Sequence, residues 1–155
     1  MLKKIELIVN KFNIYNVVIH PSNVSNWDVF NNFQHLPLSI ENMDRSNKKG
    51  KTVEDIEYLI NKYNFNLTLD LNHCLSNDES MELAREFHDR LGDRIVEYHI
   101  SGYDKEKPHV PLYTVGQKEI IEALELKDKV IIIESEFNKI GEEIKEFEYI
   151  IDNLE

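Results

Sequence analysis

Cysteine is almost absent from this chain of 155 residues. Cys74 stands alone, which excludes an internal disulfide and any cysteine-rich zinc site and leaves oxygen and imidazole as the available metal ligands. Glycine and proline are scarce too, with five and four residues. They gather into no linker, no phosphate-cradling Gly-rich loop and no nucleophile elbow, so nothing divides the chain and two common catalytic devices are missing. No apolar run approaches the roughly 20 residues that cross a bilayer. The opening "MLKKIELIVNKF" is interrupted by Glu6, Asn10 and Lys11 and is no secretory signal. A soluble, cytoplasmic protein without a membrane partner is expected. Positive charge is also in deficit: 18 basic residues face 29 acidic ones, a net charge of −11. Such a field repels phosphates and speaks against a nucleic-acid partner.

What is present is a globular composition, 41% hydrophobic and 30% charged, in a length that suits one domain over residues 1–155. Five short apolar runs rich in β-branched residues read as buried strands: "NVVIH" (16–20), "PLSIEN" (37–42), "NLTLDL" (66–71), "IVEYHIS" (95–101) and "VIIIES" (130–135). Amphipathic helices lie between and around them. "LKKIELIVNKF" precedes the first strand, and "TVEDIEYLINKYN" (52–64) starts at a Thr52 cap. "SNDESMELAREFHDRLGD" reads as one helix, with Ser76 and Glu79 at capping-box spacing and Gly92 as the C-terminal cap. "TVGQKEIIEALEL" has Thr114 and Gln117 at the same spacing. The last segment sets Ile140, Ile144, Phe147, Ile150 and Ile151 in helical register. Strands alternating with helices give an α/β fold with a parallel sheet and right-handed crossovers.

Each strand ends in a residue able to bind a metal: His20, Glu41, Asp70, His99 and Glu134, spaced by about one βα unit of some 30 residues. In parallel α/β folds the C-terminal strand edge is where side chains converge on one crevice. Singly, each has an ordinary reading: a strand-terminal carboxylate caps a helix, His20 before Pro21 starts a turn, and His99 satisfies itself in the core. Together they point to a divalent-metal site, since a cation offsets the repulsion among converging carboxylates. His73 and His109 follow two of the strands closely and can join it. His35 and His88 read as solvent-facing, and Trp27, Phe30 and Phe33 as an amphipathic stretch on the sheet.

With those residues in place, "VVIHP", "LSIENM", "LTLDLNH", "EYHISGYD" with "PHVPL", and "VIIIESE" resemble strands four to eight of the xylose isomerase-like TIM barrels. That group contains sugar isomerases and epimerases, hydroxypyruvate isomerase-like proteins and endonuclease IV. The resemblance implies a partial barrel of about five parallel βα units. It also implies one divalent ion (manganese, zinc, cobalt or magnesium) held by Glu41, Asp70, His99 and Glu134. Glu41 and Glu134 would be the acid and base that shuttle a proton beside a carbonyl or hydroxyl of a small sugar, sugar phosphate or hydroxy-carbonyl compound, and His20, His73 and His109 would contact that substrate. Two alternatives stay open: an endonuclease IV-like metallo-phosphodiesterase acting on abasic DNA, and a non-catalytic metal-binding half-barrel. In the first, Lys107 stands where the loop aspartate of that cluster is expected. A complete barrel takes about 250 residues, so the resemblance also implies two open sheet edges, covered by short segments, by a homo-oligomer or by a partner chain.

Overall fold

The computed structural model describes residues 2–126 and 128–154. Its elements run α1 (Leu2–Phe12), β1 (Val17–Ile19), β2 (Leu38–Glu41), α2 (Val53–Tyr63), β3 (Asn66–Asp70), α3 (Leu71–Asn77), α4 (Glu82–Leu91), β4 (Ile95–Ile100), α5 (Leu112–Val115), α6 (Lys118–Glu122), β5 (Val130–Ile133) and α7 (Glu142–Asp152). The five strands form one all-parallel sheet in the order β1-β2-β3-β4-β5, curled into a half-barrel. No helix of the described residues is long and apolar enough to cross a membrane.

Side chains alternate across the curled sheet, and the two faces differ in chemistry. The convex face sends Ile40, Leu67, Leu69, Tyr98 and Ile100 against the helices, all fully buried. The concave face carries Ser39, Thr68 and Glu97, one layer below the strand tips. Asn16 donates to Ser39 and Thr68, and Thr68 donates to Glu97, so this inner layer is a hydrogen-bonded row. Toward β5 it gives way to Val130 and Ile132, which are exposed.

β1 and β2 are joined without a crossover helix. Two 3-10 turns, Pro21–Asn23 and Trp27–Asn32, fill the short connection. The aromatic stretch does pack onto the fold, as its pattern suggested. Phe30 meets Phe65 edge-on at 5.1 Å, and Trp27 stacks on Tyr63 at 5.7 Å.

Three expectations need correction. The segment read as one helix from Ser76 is two, α3 and α4, broken where Met81 takes a left-handed backbone, φ 59°. Asp78, not Ser76, supplies the cap: its carboxylate accepts from the backbone of Leu83 (2.9 Å) and Ser80 (3.0 Å). Ser76 lies inside α3 and donates to His73 O, while Gly92 ends α4 in a right-handed conformation, φ −53°. Thr114 likewise sits within α5 and bonds Pro111 O, leaving Gln117 to brace Tyr103 N and O. His88 is buried, held between Ala84 O (2.8 Å) and the Tyr98 hydroxyl (2.7 Å). The last apolar segment does form a helix, α7, whose stripe is largely exposed. Ile150 is buried, but Ile140, Ile144, Phe147 and Ile151 face outward.

Candidate metal centre

The strand tips do converge. Glu41, Asp70, His99 and Glu134 each bring one ligand atom into a group in which all four lie within 4.8 Å of one another. Strand tilt explains how four residues from different strands reach one height. Asp70 pairs in register with His99, whereas Glu41 pairs with Thr68, two residues short of Asp70. In a tilted, staggered sheet those offsets bring alternate strands level at the rim.

Asp70 caps a helix and leaves its second oxygen free for the cluster. Its Oδ1 accepts from His73 N at 2.9 Å, capping α3, while Oδ2 is buried with no hydrogen-bond partner. Asn42 clamps the same strand end: its side chain accepts from Asp70 N (2.7 Å) and donates to Asp70 O (2.9 Å). The backbone under the ligand is therefore held at both polar groups.

His99 is set between two groups of carboxylates. Its Nδ1 lies 3.1 Å from Glu134 and 3.3 Å from Glu41, and its Nε2 lies 3.3 Å from Glu97. With Glu97 accepting the Nε2 proton, Nδ1 faces the Glu41 and Glu134 carboxylates, where it either carries a second proton or meets a cation. Glu97 was missed by the sequence reading, although the signal was there: it stands two residues before His99 and must share its face of β4.

Three buried atoms have no hydrogen-bond partner at this spot: Glu41 Oε2, Asp70 Oδ2 and His99 Nδ1. His20 Nε2 comes within 2.6 Å of Glu41 Oε2, but not in hydrogen-bonding alignment. Native interiors rarely leave such groups unpaired, because each costs roughly 1–3 kcal/mol. A divalent cation would satisfy all three together. Three carboxylates and one imidazole are a donor set that manganese, iron, cobalt or zinc accepts, so the residues fit the ion the resemblance implied.

The electrostatics agree. Burial raises Asp70 to about 7, with Glu41 and Glu134 adding to the rise and His73 opposing it. Burial opposes the charged form of His99, yet Glu134, Glu41 and Glu97 outweigh it and push the imidazole up to about 12. Burial likewise works to raise Glu41, but His20 and His99 hold its carboxyl far below the ordinary range. The Glu41 carboxylate beside His20 raises that imidazole. The cluster thus takes up protons to balance its own negative charge.

The remaining histidines ring the site. His73 Nδ1 donates to Asn42 O (2.8 Å) and stands 3.3 Å from Asp70 Oδ2. His109 Nδ1 lies 3.0 Å from Ser101 Oγ and 3.9 Å from Glu134. A single bridge brings His109 back over the rim: Gly102 pairs antiparallel with Val110. Only glycine allows it, since a Cβ at 102 would sit 2.8 Å from Val110 O and 2.6 Å from Val115 Cγ2. His20, His73, His109, Glu41 and Glu134 line an open cleft of about 420 Å³, with Asp70 and His99 beneath it. His35 lies away from the cleft, paired with Glu6 at 2.7 Å. No protein-family profile, curated protein or solved structure matches this chain.

Proposed function

We propose that the chain is a divalent-metal-dependent isomerase or epimerase acting on a small sugar, sugar phosphate or hydroxy-carbonyl compound. The observation that carries this reading is the buried Glu41–Asp70–His99–Glu134 group, with three unpaired ligand atoms under an open cleft. When bound, the ion supplies Lewis acidity that polarises a carbonyl or hydroxyl oxygen and acidifies the neighbouring C–H.

The protein groups do the rest. Glu41 and Glu134 reach the cluster from strands two and five and so approach a ligand in the cleft from opposite sides. Glu134 is the more open, its side chain 33% exposed against 2% for Glu41, which suits it to move a proton to and from carbon. Glu41 is held ionised by His20 and His99, so the proton it returns on the other face is one it first takes from the adjacent His20 imidazolium. His20, His73 and His109 are placed to hold substrate hydroxyls. The cleft volume, about 420 Å³, suits a small molecule.

One observation favours a second reading, a metallo-phosphodiesterase: each rim histidine stands beside a carboxylate (His20–Glu41, His73–Asp70, His109–Glu134), an arrangement open to further ions. The net charge of −11 weighs against its DNA substrate. Incubating the manganese- or cobalt-loaded protein in D2O with aldoses, ketoses and their phosphates separates the readings. Deuterium is expected at the carbon beside the carbonyl or hydroxyl, and Glu134→Gln should slow its entry at least 100-fold. Cleavage of abasic DNA without any exchange would replace the first reading with the second.

A further inference from the structure

The clearest unspent feature lies at the two sheet edges. Among the described residues β1 pairs only with β2, and β5 only with β4, so each end of the sheet offers a row of free backbone groups. In a right-handed βα repeat, the helix after a strand lies across that strand and the next one. α7 follows β5, and among the described residues β5 has no further strand beside it for the helix to cover. The consequence shows on its surface: Ile144, Phe147 and Ile151 form an exposed stripe, with Ile144 at 59% and Phe147 at 58%.

The opposite edge has the matching vacancy. An apolar groove of about 690 Å³ runs along β1, lined by Leu2, Ile5, Val17, Ile19, Phe30 and Phe33. Val17 and Ile19 are the outward side chains of the edge strand, the ones a covering helix would bury. Charge is complementary as well. α1, beside the groove, carries Lys3, Lys4 and Lys11 against Glu6, whereas α7 carries Glu142, Glu143, Glu148 and Asp152 against Lys145.

We propose that a second copy of this chain closes the half-barrel. β5 of each protomer aligns parallel to β1 of the other, and the α7 stripe of each fills the other's groove. A twofold axis along the barrel axis performs both contacts at once, keeps all ten strands parallel and sets both metal clusters on the same rim. Val130 and Ile132, exposed on the concave face of β5, then gain an opposite wall. A stable dimer interface buries roughly 1,200–2,000 Å² of total surface, shared here between two symmetric contacts. This inference does not depend on the catalytic reading.

Sedimentation velocity on the full chain tests it. The wild type should sediment as a dimer at micromolar concentration. Ile144→Glu with Phe147→Glu (α7 stripe) and Lys3→Glu with Val29→Glu (groove wall) should each weaken the dimer at least tenfold, while unchanged circular dichroism shows that the exposed sites leave the fold intact. Mixing the two variants should restore a heterodimer, because one of its two interfaces is then wholly wild type. A monomeric wild type, open polymers that grow with concentration, or variants that fail to complement each other would overturn the proposal.

Discussion

At the residue scale, the ambiguity of a strand-terminal carboxylate dissolves on inspection of its two oxygens. Asp70 caps α3 with Oδ1 and leaves Oδ2 to the cluster, so helix cap and ligand were never rival readings. Glu97 is the residue that the pattern of strand ends concealed, because it stands one layer below the rim. Its contact with His99 Nε2 orients the imidazole, and outer carboxylates of this kind are worth about 10–100-fold in metal affinity. Glu97→Gln should therefore weaken cobalt or zinc binding by that factor in titration calorimetry and leave the thermal midpoint of the metal-free chain nearly unchanged. An unaltered affinity would assign Glu97 to the inner polar row alone. His88 shows the opposite failure of reading from sequence. Its place on a polar stretch of helix suggested solvent, and only the packing of α4 against β4 reveals the Tyr98 hydroxyl that receives it.

At the scale of elements, the five strands and the helices 2–12 and 52–64 were legible because period and capping chemistry agree there, as with Thr52 accepting from Asp55 N. The region after β3 was harder to read. Ser76 and Glu79 have capping-box spacing, yet Asp70 already starts a helix at Leu71, so Ser76 falls inside it and the new start shifts to Asp78. The Asp78 carboxyl, bonded by Ser80 and Leu83, is held below its ordinary value. A folded-state value below the unfolded one means that the contribution is present above pH ~4 and fades as pH falls through the folded value. Asp78→Ala should thus lower stability by about 1 kcal/mol at pH 7 and by progressively less toward pH 3, read by urea denaturation across that range. A pH-independent difference would remove the carboxylate from the account. The register of the α7 stripe was legible, but periodicity reports an apolar face and not what covers it, and Ile144, Phe147 and Ile151 are exposed.

At the scale of the whole molecule, a half-barrel is enough to bring together four residues that could hold a metal ion, because they come from four adjacent strands. Curvature and tilt of the sheet bring Glu41, Asp70, His99 and Glu134 together, and the loop bridge at Gly102 returns His109 to the rim. The order of the ligands along the chain was visible in the sequence, one per βα unit. Their convergence followed from the parallel α/β pattern, whereas the register offset between β2 and β3 that brings them level was not visible there. The central claim is that these four residues hold a divalent ion. Its most direct test is elemental analysis after reconstitution with manganese, cobalt or zinc and removal of free metal, comparing the wild type with Asp70→Asn, which can keep the helix cap while losing the charge. One tightly held ion per chain in the wild type and a loss of more than 90% of it in the variant is the predicted result. A wild type that retains no metal under any of the three conditions would contradict the account.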